Sequence, residues 1–584
     1  MKKFKILVGV VGVAGAAGWL AYRNRRRLIG AWLKLPAPRF DVEVQRAIPV
    51  RMPDGVDLLT DHLYPAVPGS FPTILIRTPY GRSPEAGFAA IFMTDFPAQR
   101  FAERGYHVLI QGARGCYDSG GEFIPHLNEA ADGKAAVDWI AKQPWFNGSL
   151  ATWGPSYLGY CQWAIAVQGL PELKAIQPSM TASQNYGVSY PDEAFGLETR
   201  LRWSQGMAVQ NEAQGQSFWE GLASMGKRER DLQAAYYHVP LGEADRIAVG
   251  RPVPFFREML QNVRADDEYW RKRDHSQGVS QVEAAVHLVG GWYDYYLRGL
   301  LEDYARLKSG GKQPYLTIGP WYHPSPATFL ESLRNGLDWF DAHLKGDHSK
   351  LRAKPVSLYV MGADEWRQFN EWPPAAQPVR YYLHPGGQLL DSSPDVESAS
   401  RSYLYDPTNP TPAVGGALLG PNHVGPQDNR VLEERSDVLS YTTRPLQDAL
   451  ELIGPVSLEL YVRSSLEHSD FFGRLCDVHP DGRSINVCDG LMRVKPGRGE
   501  LMGDGSLRIT VDLWATAYCF QPGHRLRLQV SSGAHPRWSR NLGSGEAYLD
   551  GMIMRVADQT VYHDRMHPSA LVLPVIGRSE GIKD

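Results

Sequence analysis

Between residues 40 and 180, short β-rich runs alternate with helical stretches, and a chain with that rhythm has few folds open to it besides a parallel sheet covered by helices. Residues 73–77 (TILIR), 107–111 (HVLIQ) and 150–153 (LATW) read as strands, and 128–143 reads as a helix that Pro144 helps to end. The rhythm stops over 182–280, where charged, helix-favouring sequence such as 226–235 (GKRERDLQAA) predicts an inserted helical cap. Strand-like runs resume at 285–289 (AVHLV) and 315–318 (YLTI), so the α/β domain is split into 40–181 and 281–352. From 355 to 578 turn residues recur and apolar positions alternate with polar ones, as in Val456, Leu458, Leu460 and Val462, or Leu507, Ile509, Val511 and Leu513. One buried and one wet face per strand predict an all-β domain of jelly-roll type.

A length of 584 residues exceeds what one hydrophobic core organises, in keeping with several domains. The net charge of -3 supplies no field for nucleic acid, and no nucleic-acid motif is present. Cys116, Cys161, Cys476, Cys488 and Cys519 have no zinc spacing, and buried free thiols are expected even for Cys476 and Cys488, which flank a turn. No metal or other cofactor is expected. At the N-terminus, Lys2, Lys3 and Lys5 precede an apolar run over 6–22, followed by Arg23, Arg25, Arg26 and Arg27. Residues 1–35 therefore read as a membrane anchor or an uncleaved export signal, with the side of the membrane undecided because the flanking charges nearly balance. The oligomeric state is open, a homodimer included.

The chemistry centres on 153–159 (WGPSYLG), which follows a strand and precedes a helical run at 160–167. A serine on such a turn projects its hydroxyl from the sheet edge, the arrangement of a nucleophile elbow. The pattern departs from G-x-S-x-G, because Leu158 stands where the second glycine belongs and Gly159 follows it. A serine hydroxyl needs a base to take its proton and a carboxylate to orient that base. On scaffolds of this kind they follow in the order serine, acid, histidine, each just past a strand. Asp294 ends V-H-L-V-G-G-W-Y-D (286–294) and His323 ends L-T-I-G-P-W-Y-H (316–323), which fits. Alone, Asp294 also reads as the cap of a helix over 295–301, and His323 as a loop histidine. Serving as both cap and acid is open to Asp294.

The chain resembles the cocaine esterase and X-Pro dipeptidyl-peptidase family of α/β-hydrolases over about 42–575. The resemblance rests on R-T-P-Y-G-R (77–82), Q-G-A-R-G-C-Y-D-S-G-G-E-F (111–123), the elbow, G-G-W-Y-D (290–294), G-P-W-Y-H (319–323) and P-G-H-R-L-R-L-Q-V-S-S (522–532). It implies a triad of Ser156, Asp294 and His323, and an oxyanion hole made by the Tyr80 phenol and the Tyr157 N–H. Tyr296 and Trp203 resemble positions lining the family's acyl pocket, although Trp203 also reads as cap packing. Arg114 and the 119–123 turn read as structural. The expected activity is cleavage of a small acyl ester or amide through an acyl-enzyme, an esterase first. An X-Pro dipeptidyl-peptidase or an α-amino-acid ester hydrolase is the alternative, each needing acids such as Asp192 and Glu193 to hold a free amino group. A silent, membrane-anchored binding protein is the rival from outside enzymology.

Overall fold

The computed structural model describes residues 24–87, 90–210, 218–323, 325–420 and 422–577. The apolar run at 6–22 lies outside the described residues. Among the described residues no helix is long and apolar enough to cross a membrane. Within the stretch read as an anchor, Leu33 and Leu35 are buried in the core of the first domain, and the Leu33 carbonyl accepts a bond from Arg334.

Ten strands form the first sheet: β1 (Val42–Arg51), β2 (Asp57–Pro65), β3 (Thr73–Thr78), β4 (His107–Gly112), β5 (Leu150–Pro155), β6 (Leu173–Ser179), β7 (Ala285–Tyr293), β8 (Tyr315–Tyr322), β9 (Val356–Val360) and β10 (Glu365–Phe369). Their spatial order is β1-β2-β4-β3-β5-β6-β7-β8-β9-β10, with parallel pairing from β4 through β9. Every residue of β3 and β4 is buried, because helices cover both faces of the parallel part. Helices α1 (Glu129–Ile140) and α2 (Tyr157–Ala166) follow β4 and β5. Between β6 and β7 lies helical sequence containing α3 (Leu197–Val209), α4 (Phe218–Tyr236), α5 (Ala244–Val249) and α6 (Pro254–Gln261), and then α7 (Leu297–Ser309) and α8 (Pro326–Lys345) follow β7 and β8.

The sheet runs further than the sequence suggests. Strands β9 and β10 fall in the region assigned to the second domain from 355, yet β9 pairs parallel with β8 through Leu316↔Val356 and Ile318↔Leu358. Near a sheet edge a parallel strand keeps one wetter face, so V-S-L-Y-V alternates as an antiparallel strand would. The all-β region then starts at β11 (Gln377–His384) and ends at β22 (Ala570–Val575), twelve strands of which ten follow one mostly antiparallel path and two lie off it. At the junction, Met361 exchanges main-chain bonds with Ala517 and Cys519. All five cysteines are buried and free, with Cys476 opposite Asn486 and Cys488 opposite Leu475.

The cap is tied to the all-β region. Glu198 on α3 accepts from the amides of Leu419 and Gly420, each at 2.9 Å, and its own amide donates to the Pro536 carbonyl.

Candidate active site

Ser156 lies between β5 and α2 with φ 58° and ψ −124°, a positive φ that a non-glycine residue adopts only when its surroundings enforce it. The enforcement is visible. The Ser156 amide donates to the Ser179 carbonyl on β6, while its own carbonyl accepts from Gly159 and Tyr160, so α2 begins at the serine. Glycine is needed at 159 because a Cβ there would stand 2.4 Å from the Thr181 side chain. Leu158, the departure from the usual motif, fills the space above Gly154, where an added Cβ would fall 2.5 Å from the Leu158 Cβ.

Asp294 leaves the end of β7 and is fully buried. Its Oδ1 accepts from the Tyr296 amide at 2.7 Å, and its Oδ2 lies 2.7 Å from His323 Nδ1. One carboxylate thus closes a turn and holds an imidazole, but it does not cap the helix that follows, which starts at Leu297 with Tyr296 at its N-cap. His323 follows β8, and its Nε2 lies 2.9 Å from Ser156 Oγ. A carboxylate at Nδ1 selects the tautomer that leaves Nε2 free to accept the serine proton. The ends of β7 and β8 come close because Gly291 has no side chain; a Cβ there would meet the Trp321 carbonyl at 2.3 Å. Tyr295 lies against the imidazole, ring centroids 4.4 Å apart, and Tyr296 lies at 5.7 Å.

Tyr80 follows β3, and its amide donates to Thr78 Oγ1. The Trp203 indole N–H donates to the Tyr80 hydroxyl at 3.2 Å. An indole nitrogen can only donate, so the phenol oxygen accepts there and its own proton is available elsewhere. Burial pushes the Tyr80 phenol up from its ordinary value, opposed by its bonds with Trp203 and Ser156, so the group stays protonated at neutral pH. The Tyr157 ring turns the other way. Its hydroxyl donates to Glu129 Oε1 at 2.7 Å and accepts from the His126 amide at 3.0 Å, while Arg77 holds Glu129 Oε2 at 2.6 Å. As the first residue of α2, Tyr157 has an N–H with no acceptor inside the helix.

A small recess opens beside Ser156, lined by His126, Arg200, Trp203, Tyr295 and Tyr296 among others. Trp203 stacks on Tyr157 at 6.3 Å. Sequence reasoning missed Tyr295, His126 and Arg200, and it missed the buttress of Arg77 and Glu129. For the buttress a signal existed: an arginine ending an apolar strand run must find a carboxylate, and α1 offers Glu129 and Asp132. Arg114 is clamped by Asp132 and Asp54, which is structural work.

The acids proposed for an amino group stand in a neighbouring, larger groove of about 350 Å³. Asp192 binds Arg298 at 2.9 Å, and Glu193 is paired with Lys495 and Arg498. Among the described residues one cluster has donors suited to a metal ion, Asp477 with His479 and His524. It lies in the all-β region, where His524 and Tyr518 already bind Asp477 at 2.9 Å.

Residues 54–325 match the X-Pro dipeptidyl-peptidase (S15 family) model, and 349–572 match that of the X-Pro dipeptidyl-peptidase C-terminal non-catalytic domain. Cocaine esterase from Rhodococcus sp. (strain MB1 Bresler) is 32% identical over 567 residues, which cover 91% of this chain and 98% of the relative. Two solved structures share the fold. An aminopeptidase from a marine sediment archaeon (Thaumarchaeota archaeon) superposes with a TM-score of 0.78 at 23% identity, covering 92% of this chain and 97% of its own. An α-amino acid ester hydrolase gives 0.78 at 22%, covering 93% and 98%. The chain is a serine hydrolase, not a silent binding protein, and it belongs to the cocaine esterase and X-Pro dipeptidyl-peptidase (S15) family.

Proposed function

We propose that the protein is an acyl esterase in which Ser156 is the nucleophile, His323 the general base and Asp294 the group that orients it. The observation that carries this reading is the unbroken line from Asp294 through His323 to Ser156, with separations of 2.7 and 2.9 Å. His323 Nε2 takes the hydroxyl proton as Oγ attacks the substrate carbonyl. The developing oxyanion is received by the Tyr80 O–H and the Tyr157 N–H, donors already in place before charge appears. Collapse expels the alcohol with the proton from His323, and a water repeats the cycle on the acyl-enzyme. A fluorophosphonate probe labels the protein and does not label Ser156→Ala; equal labelling of the folded variant removes Ser156 from the mechanism.

An X-Pro dipeptidyl-peptidase or an α-amino-acid ester hydrolase must hold a free ammonium group by charge pairing. Two features favour the esterase over both. Among the described residues no carboxylate lines the cavity beside Ser156, and Asp192 and Glu193 are already engaged by arginines and a lysine. Hydrolysis of p-nitrophenyl acetate without hydrolysis of Ala-Pro-p-nitroanilide is the expected outcome, and the reverse selects the peptidase. The basic-flanked apolar run at 6–22 supports export or tethering to a membrane, tested by whether carbonate washing leaves the protein with the membrane fraction.

A further inference from the structure

Arginines inside this protein are as a rule paired. Arg77 meets Glu129, Arg474 meets Asp489, Arg493 meets Asp470, and Arg202 is held by Glu198 and Glu229, both at 2.7 Å. Among the described residues, the buried arginines without a carboxylate are Arg200, two residues earlier on α3, and Arg273, but Arg273 is held by the Pro125 and Tyr269 carbonyls and does not line the cavity beside Ser156. Arg200 is 3% exposed, its Nη2 donates to the Asn185 carbonyl at 3.2 Å, and its Nε has no partner. No described carboxylate forms an ion pair with it, and Glu198 is fixed to Arg202 and to the amides of Leu419 and Gly420. A buried guanidinium cannot shed its charge by losing a proton, and leaving it unpaired costs free energy unless something arrives to pair with it.

Arg200 lines the same cavity as Ser156. The other polar groups there do not neutralise it. Tyr296 faces it with a phenol, and burial, followed by the charges of Arg200 and Arg273, holds His126 neutral. The cavity is small, and its walls at Ser156, Tyr157, Tyr295 and Tyr296 are buried. A leaving group must depart before water can enter, so the half of the substrate that occupies this recess is the half that stays on the serine.

We propose that Arg200 makes the cavity a receptor for an acidic acyl group, so that the preferred substrates are esters whose short acyl chain ends in a carboxylate. The inference rests on Ser156 being the nucleophile. A guanidinium presents parallel N–H donors that match a carboxylate, and the pairing is strongest where water is excluded. The ester carbonyl then sits at Ser156 while the distal carboxylate reaches Arg200, with the chain between them against Trp203 and Tyr296.

The test compares phenyl hemiglutarate with its methyl-capped ester, phenyl methyl glutarate, in the full-length enzyme. The expected kcat/KM favours the free acid by about tenfold to a hundredfold, the range that one hydrogen bond to a charged group supplies. Arg200→Met lowers that ratio at least tenfold, and Arg200→Lys retains part of it. Glutarate also protects the unmodified enzyme from fluorophosphonate labelling at lower concentration than pentanoate does, a measurement that needs no variant. A ratio of one or below, or a preference that survives in folded Arg200→Met, overturns the role of Arg200. Labelling at Ser156 with neither ester cleaved overturns the acidic-acyl inference and leaves the nucleophile standing. Failure of both labelling and hydrolysis sinks the nucleophile and this inference together.

Discussion

Two recesses meet at Tyr295, and they treat charge in opposite ways. In the larger groove, Asp192 answers Arg298 and Glu193 answers Arg498 and Lys495, so acid and base are matched in place. In the smaller cavity, Ser156 faces phenols, an indole, a neutral imidazole at His126 and a guanidinium that no described carboxylate pairs. The contrast teaches how to tell architecture from chemistry. Matched charges hold elements together, here joining the cap to α7 and to the all-β region, whereas polar groups with unused bonding capacity in a buried recess have it available for a ligand.

The largest effect that tests this contrast is on the cavity side. Tyr80→Phe removes one oxyanion donor and lowers kcat by about 10² to 10³ on p-nitrophenyl acetate. An unchanged kcat makes the phenol a wall and leaves the Tyr157 amide unassisted. Next comes Trp203→Phe, which keeps the ring stacked on Tyr157 but deletes the donor that fixes the Tyr80 oxygen. Losing that hydrogen bond lowers kcat by roughly tenfold. Steady-state kinetics with KM read separately distinguish this from loss of a pocket wall, which would raise KM and spare kcat. The smallest effect belongs to the groove: Asp192→Asn changes kcat/KM for neutral esters by less than about threefold and the melting temperature by no more than about 2 °C, as for a partly exposed ion pair. A tenfold loss of ester hydrolysis in that variant makes the groove part of the substrate site, and the contrast then fails.

How much of this was legible in the sequence differs by element. The strand-ending positions of Asp294 and His323 and the turn at Ser156 were readable because parallel strands announce themselves as short apolar runs and place chemistry at their C-terminal ends. Tyr80 was readable only through family resemblance, since a tyrosine after a proline has no periodic signature. That strands β9 and β10 extend the first sheet was not readable, because alternation reports a wet face and not the partner strand. Arg200 was invisible for a different reason. Helix α3 carries Glu198, Arg200, Arg202 and Glu229-bound contacts in sequence that reads as an ordinary charged helix, and only the fold reveals which of its charges is left over.

The bond between Glu198 and the main chain at 419–420 bears on how selectivity in this enzyme can be altered. Helix α3 carries Arg200 and Trp203 within about one and a half turns of that anchor, so the all-β region holds the helix that supplies part of the recess wall. Insertions near 419–420 would retune which acyl chains are accepted while leaving every residue that touches the reacting carbonyl in place. Directed evolution of acyl preference therefore has a second address, remote from the serine and free of the chemistry.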